Sequence, residues 1–505
     1  MSGNPGRFVL GIDIGTSAAK VAAVDTSGAL AASASAEIPI YSPHPGWTEQ
    51  DPLEWLSALM DASRRVLAEA GLSSSDIAGL SLSSAAHVAV LLDERDHPTR
   101  RSILWNDQRT SDEVRTLEET LGDEIFRTTF QKVSTTWTLP HLVWIRLWDG
   151  EAWRRMRRVM LSKDFVLYRL TGECVTDPAT ALSSLLFDPR AGTWSERLTG
   201  ALELQSSLLP RVLPPTAIAG KLTPGAAAAL GLLPGTPVVN GTLDSACETF
   251  GAGVNSPGQC LLRLASAGGI HLVTPEPRPH PALITYNHPI EPLWYCQAGT
   301  SACALAVRWA VGAFTAGKGL PFSRWDTLAL DAPPGAEGLL FHPHLAGERA
   351  PHWDPHLKGS FIGATLRHST AHFARAVYEG TALSLRDALS VIQELAPLPE
   401  TLTAVGGGTQ SGVWLQIIAD VLGRPIDVPH AVDSSFGTAL IGLVALGRFP
   451  SLRDAADRSL SQPRRILPVA ENVALYNGIF TRYREVHQRL APLYSAQSPD
   501  RTATP

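Results

Sequence analysis

After a short polar lead, the chain reads Phe8-Val-Leu-Gly-Ile-Asp-Ile-Gly-Thr-Ser-Ala-Ala-Lys20, and this stretch decides the fold. Phe8 to Ile14 has the apolar, β-branched character of a strand, Gly15-Thr16-Ser17 supplies a turn, and Ala18 to Val24 resumes a strand. Asp25-Thr-Ser-Gly28 turns the chain again. A first turn that leads straight back into a strand excludes a Rossmann unit, whose first turn runs into a helix. Backbone N–H groups and hydroxyls in such a turn can cradle phosphate oxygens. Gly11 and Gly15 would let backbone approach a ligand closely, and Asp13 could hold a hydrated Mg²⁺. The same residues also suit a plain hairpin with a solvated Asp13.

The pattern returns later in the chain. Gln259 to Leu264 reads as a strand, Ala265-Ser266-Ala-Gly268 as a turn, and Gly269 to Val273 as a strand, so the sequence predicts a duplicated domain with each half giving one turn to a shared cleft. The 505 residues agree, because one hydrophobic core stops growing at roughly 250–300 residues. Proline-rich connections between 205 and 240 put the junction near 240–255, and we divide the chain into 1–247, 248–494 and a polar tail, 495–505. Elsewhere Asp51, Pro52 and Glu54 read as N-cap, first residue and capping box of a helix that Gly71 stops. Ile77 to Ser83 reads as a strand, Ala371 to Leu395 as a long helix, Thr401 to Val405 as a strand, Gly406-Gly407-Gly408 as a turn and Gly412 to Leu422 as a helix.

Forty-two basic against 48 acidic side chains give a formal charge of −6, which argues against a sequence-independent nucleic-acid binder. The five scattered cysteines read as buried thiols in a reducing compartment. No run approaches about 18 uncharged apolar residues, so no membrane span and a cytoplasmic location are expected.

Several motifs carry chemistry. In Val238-Val-Asn-Gly-Thr-Leu-Asp244, a carboxylate just past an apolar strand suits a general base for a hydroxyl, or a helix N-cap. Trp105-Asn106-Asp107, with Arg109, offers an apolar ring face and hydrogen-bonding ends to a polyhydroxylated ligand, or an Asx-type turn. Gly312-Ala-Phe-Thr-Ala-Gly317-Lys318-Gly319 imitates a P-loop but lacks the Ser/Thr and the preceding strand, and is set aside. His342, His344, His352 and His356 lie on a loop whose spacing fixes no ligand geometry, so zinc is not expected there. Arg154 to Arg158 reads as a solvated basic face.

Taken together, these segments resemble the FGGY carbohydrate kinases, and most closely their xylulokinase branch. Gly11 to Ser17, Trp47 to Pro52, Ile103 to Asp107 with Arg109, Leu161 to Asp164, Gly347-Glu-Arg349 with Pro351, Gly359 to Gly363 followed by His372 to Glu379, and Val405 to Gly408 fall in family order. The resemblance implies an α/β fold of two actin/Hsp70-like (ribonuclease H-like) domains around an interdomain cleft. It also implies an ATP-dependent kinase, with Mg²⁺, that phosphorylates a terminal hydroxyl of a ketopentose. D-xylulose is the first expectation; ribulose, erythritol or a glycerol-like polyol are alternatives. A homodimer is a further expectation. By the same resemblance Asp244 is the catalytic base. His87, Trp105, Asn106 and Asp107 contact the sugar together with Asp244. Asp13, Gly15, Thr16, Ser17, Lys20, Ser266, Gly407 and Gly408 hold the nucleotide, and Asp13 and Asp244 the metal. The sequence departs from the family at Ala85-Ala86-His87, where Gln-Met-His is usual and a roomier pocket results. It departs again at Ala265-Ser266, where Gly-Thr is usual, at His141, where a lysine is usual, and at Gly412, where a polar residue is usual. The fold alone would also admit a nucleotide-dependent regulator or chaperone-like ATPase, which has no need of Trp105-Asn106-Asp107 together with Asp244.

Overall fold

In the computed structural model, which describes residues 6–315, 321–430 and 432–495, the opening segment forms a hairpin. β1 (Phe8–Ile14) and β2 (Ala18–Asp25) pair antiparallel with Asp13 opposite Lys20. They are joined by β3 (Leu30–Glu37), β4 (Ile77–Ser84), β5 (Ile218–Lys221) and β6 (Pro237–Leu243) in a six-stranded sheet of order β5-β6-β4-β1-β2-β3. The three central strands β6, β4 and β1 are parallel and almost wholly buried, as expected of strands covered on both faces.

The second half repeats this plan. β7 (Cys260–Leu264), β8 (Gly268–Thr274), β9 (Ile284–Asn287), β10 (Trp294–Thr300), β11 (Leu402–Val405), β12 (Ile426–Val428) and β13 (Arg464–Ile466) form a seven-stranded sheet of order β9-β10-β8-β7-β11-β12-β13. β7 pairs antiparallel with β8 and parallel with β11, just as β1 pairs with β2 and β4. Asp13-Ile14-Gly15-Thr16 in the first hairpin therefore corresponds to Arg263-Leu264-Ala265-Ser266 in the second.

Among the helices that frame the sheets are α1 (Pro52–Glu69), α2 (Asp244–Gly251), α3 (Thr370–Leu395), α4 (Gly412–Leu422), α5 (Ser434–Ala445) and α6 (Ala470–Ser495). α2 follows β6 in the first half and α5 follows β12 in the second; the two pack against each other, and α5 packs against β1 between the halves. Their crossing is close because it is built on glycine. A Cβ on Gly437 would lie 1.9 Å from the Cys247 carbonyl oxygen, and one on Gly11 would lie 1.9 Å from that of Ser435. Gly11 thus admits a helix, not the ligand that its sequence context suggests. The apolar seam of this junction contains Val9, Cys247, Phe250, Phe436 and Leu440.

Residues 85–217, between β4 and β5, build a third core around Trp137, Leu142 and Phe187 that also takes in Tyr286 and Tyr295 of the second sheet. This insertion bridges the halves. At the start of α1, Asp51 caps the Leu53 N–H at 2.9 Å. Glu54 does not complete a capping box; it accepts a 2.6 Å hydrogen bond from the Tyr41 hydroxyl, a tertiary partner that outcompetes the local one. The Gly317-Lys318-Gly319 part of the P-loop imitation, and the tail from Ala496 on, lie outside the described residues. Among the described residues, no helix is long and apolar enough to cross a membrane.

Candidate active site

A cleft of about 2360 Å³ runs between the two halves and receives the turns of both hairpins. From the first hairpin it is lined by Asp13, Gly15, Thr16, Ser17 and Lys20, from the second by Ser266, and from the turn after β11 by Gly407. His87, Trp105, Asn106 and Asp244 line the same cleft. The sequence-selected residues that do not reach it are Asp107 and Gly408.

Asp107 is fully buried, and its carboxylate is taken up by its own surroundings. Arg109 donates to both oxygens, Nε to Oδ1 at 2.9 Å and Nη2 to Oδ2 at 2.8 Å, and the Thr48 N–H donates to Oδ2 at 2.6 Å. Arg109 also pairs with Glu49 at 2.8 Å and lies 3.8 Å over the Trp47 ring. Direct contact with a ligand is thereby replaced by a supporting role, since this network stitches the Trp47–Pro52 segment to the turn that presents Trp105 and Asn106. Gly408 is packing space: a Cβ there would lie 2.7 Å from the Trp414 ring and 2.8 Å from Leu264 Cβ.

Asp244 is the first residue of α2, with Leu243 in the N-cap position, so its carboxylate faces the cleft and does not cap the helix. Oδ1 accepts the Ser245 N–H at 2.7 Å, and Oδ2 accepts Arg263 Nη2 at 3.2 Å. The strand beneath is held from below. Lys163, fully buried, donates to Asn240 Oδ1 at 3.0 Å and pairs with Asp164 and Asp177, while Thr242 donates to Asp177 at 2.6 Å. The Leu161–Asp164 motif thus anchors β6 and touches no cleft surface.

Asp13 lies across from Asp244. Its oxygens accept hydroxyls from Ser83 at 3.0 Å and, from the other half, Ser434 at 2.6 Å. Burial, and next the charge of Asp244, push its carboxyl up to about 6, against the pull of Lys20 and the Ser434 hydrogen bond. Glu248, one turn along α2 from Asp244, is pushed up to about 7 by burial and by Asp244, and pairs with Arg263 Nε at 2.8 Å. Carboxylates crowded together at a buried site are a hard-oxygen donor set for a divalent cation, so Asp13 and Asp244 fit a hydrated Mg²⁺.

His87 follows β4 in a left-handed turn, φ 70°, and is buried. Its Nδ1 meets the Ser183 carbonyl at 3.0 Å, which can only accept, so Nδ1 carries the proton and Nε2 faces the Tyr286 hydroxyl at 3.3 Å. Burial holds this imidazole neutral, with a pKa brought down to about 3. Trp105 Nε1 donates to Thr16 Oγ1 at 3.0 Å, which ties the indole to the first hairpin turn. Asn106 accepts from Thr48 Oγ1 at 3.0 Å. Across the cleft Arg308 reaches Ser266 Oγ at 3.3 Å, and Arg349 lies 5.4 Å over the Trp105 ring. Arg263, Glu248, Ser434 and Tyr286 were not selected from sequence. The one available signal was Arg263 itself, a lone charge inside the apolar run Cys260-Leu-Leu-Arg-Leu264.

Comparison with known proteins decides the family. The model of the N-terminal domain of the FGGY family of carbohydrate kinases matches residues 8–251, and that of the C-terminal domain matches 267–446. The chain belongs to the FGGY family of carbohydrate kinases. It is therefore a phosphotransferase with a sugar hydroxyl as acceptor. Among FGGY relatives, it is 32% identical to a xylulose kinase of Staphylococcus epidermidis over 96% of this chain and 98% of that one. It is 26% identical to a gluconokinase of Bacillus subtilis over 97% of each. A ligand-bound xylulose kinase of Lactobacillus acidophilus superposes with a TM-score of 0.89 at 25% identity, covering 97% of this chain and all of that one. The two-domain α/β architecture of the actin/Hsp70-like fold is shared throughout.

Proposed function

We propose that this FGGY kinase transfers the γ-phosphoryl group of ATP to a terminal hydroxyl of a ketopentose, with D-xylulose giving D-xylulose 5-phosphate as the reading of choice. The observation that carries it is the position of Asp244, whose carboxylate opens into the cleft opposite Asp13 and between the two hairpin turns. The xylulose kinases among the relatives support the sugar.

Phosphoryl transfer needs alignment and charge stabilisation more than covalent help. In this reading the first half holds the sugar. Trp105 covers its C–H face, Asn106 and the neutral His87 exchange hydrogen bonds with its hydroxyls, and Asp244 accepts the proton of the attacking hydroxyl. Thr16, Ser17, Lys20 and Ser266 surround the phosphates, and Gly407 leaves room for the nucleoside. Asp13 and Asp244 would hold Mg²⁺, which would supply neutralisation of the charge that develops on the transferred phosphoryl group. Arg263 fixes Asp244 Oδ2 and leaves Oδ1 on the side of the helix start. Asp107 acts through Arg109 by positioning the Trp105–Asn106 turn.

Ala85 and Ala86 also line the cleft, and their short side chains leave space beside His87. That supports a second reading within the same class, a longer or differently branched pentulose or polyol. ADP release measured over a panel of D-xylulose, D- and L-ribulose, erythritol, glycerol and gluconate separates the two. A kcat/KM highest for D-xylulose supports the first reading, and a preference for any other acceptor replaces it.

A further inference from the structure

Outside the cleft, three histidines converge. His344 and His352 lie on the loop after residues 340–342, and His487 lies on α6; one ring nitrogen from each falls within 4.8 Å of the others. Local spacing gave the loop histidines no ligand geometry, and the fold supplies the missing member from the far end of the chain. The rings of His352 and His487 stack with centroids 3.8 Å apart, and His344 lies 5.9 and 5.4 Å from them.

The hydrogen bonds around His344 and His352 engage one nitrogen of each ring and leave the other unbonded among the described residues. Glu348 accepts backbone N–H groups from Ser301 at 2.6 Å and Arg349 at 2.9 Å, and it receives His344 Nδ1 at 3.1 Å. A carboxylate so placed is an acceptor, so Nδ1 of His344 carries the proton. Nε2 is then an unprotonated nitrogen, buried and without a hydrogen-bond partner among the described residues. His352 repeats the arrangement with Nε2 on Asp387 Oδ2 at 3.1 Å, which leaves Nδ1 free to ligate. Imidazoles whose second nitrogen is fixed by a carboxylate are the usual supporting arrangement of zinc ligands. His342 is excluded as a fourth ligand, since its nitrogens are engaged by the Tyr483 carbonyl at 3.0 Å and Ser360 Oγ at 3.3 Å.

We propose that His344, His352 and His487 form a site for a zinc-class divalent ion that pins α6 to the loop carrying Glu348 and Arg349. Three imidazoles select borderline transition metals and disfavour Mg²⁺ and Ca²⁺, which take oxygen donors. Zn–N bonds of about 2.1 Å put tetrahedral ligand nitrogens roughly 3.4 Å apart, so binding requires the His487 ring to leave its stack on His352 and leaves one position for water. Because Arg349 follows Glu348 and reaches the Trp105 ring, the ion would stiffen one wall of the cleft from behind.

The test uses untagged full-length protein stripped with a chelator and titrated with Co²⁺ alone. One equivalent binding with the visible absorption of a tetrahedral nitrogen site, displaced by Zn²⁺ and unmoved by millimolar Mg²⁺, is expected. His344→Gln and His487→Gln should each weaken binding by about 100-fold or more, and Asp387→Asn by about 10–100-fold, the usual effect of removing such a carboxylate partner. Wild-type protein that takes up no Co²⁺ at equimolar ion would overturn the site, whatever the variants do. So would undiminished binding by folded His487→Gln.

Discussion

Arg263 donates from Nη2 to Oδ2 of Asp244 at 3.2 Å, and it does so from the strand position that Asp13 occupies in the other half. The duplication has placed an acid at one symmetry-related position and a guanidinium at the other. Each faces the start of the opposite half's helix: Asp13 meets Ser434 at the head of α5, and Arg263 meets Asp244 at the head of α2. The two symmetry-related positions therefore look inward from opposite halves, one with a carboxylate and the other with a guanidinium.

Removing Arg263 should disturb catalysis without emptying the cleft. Arg263→Ala is expected to lower kcat by about 10–100-fold, since a charged group that orients the base is lost, while KM for the sugar changes less. Arg263→Lys should recover part of the loss. Equal kcat in wild type and Arg263→Ala, measured by steady-state kinetics, would remove Arg263 from the reaction.

The acid limb of the pH profile should report Asp13. Its carboxyl sits at about 6, raised chiefly by burial, so kcat/KM with Mg²⁺·ATP varied is expected to fall below about pH 6 as the Mg²⁺ ligand becomes protonated. The Ser434 hydrogen bond favours the charged form. Ser434→Ala should thus move this limb to higher pH, and a limb that stays in place or moves down contradicts the assignment.

Glu248 should make the ligand-free protein less stable as pH rises. Burial lifts its carboxyl from 4.5 to about 7, so the folded state holds a proton that the unfolded state releases. That contribution is present below about pH 4.5 and is lost as pH rises through about 7. Glu248→Gln is expected to flatten this part of the stability curve in urea titrations at pH 5 and pH 8, and an unchanged slope would count against it.

The glycine crossing between the halves should not tolerate a methyl group. Gly437→Ala places a Cβ 1.9 Å from the Cys247 carbonyl oxygen, where two backbones and no flexible side chain meet. A loss on the order of 3 kcal/mol is expected, the upper end of overpacking costs, read as a lowered urea midpoint. Gly407→Ala, with nothing within 4 Å of the new Cβ, is the neutral control for stability.

How much of this was legible in the sequence depended on how local each feature is. The hairpin of β1 and β2, its echo in β7 and β8, and α4 at Gly412–Leu422 are set by short-range alternation and punctuation, and they form where the residues indicate. The local context of Gly11 suggests space for a ligand because its true neighbour, α5, lies hundreds of residues away. Asp107 sits in the right motif, but Arg109 and the Thr48 N–H claim its carboxylate, and no spacing rule announces that. Arg263 and His487 acquire meaning only when two distant segments meet.

The most direct measurement follows ADP and sugar phosphate together in wild type and Asp244→Ala, with D-xylulose and Mg²⁺·ATP. ADP should form in step with D-xylulose 5-phosphate, and Asp244→Ala should lose about 10²–10⁴-fold in kcat, the usual contribution of a general base. ATP turnover that ignores the sugar, or near-wild-type turnover by Asp244→Ala, would contradict it.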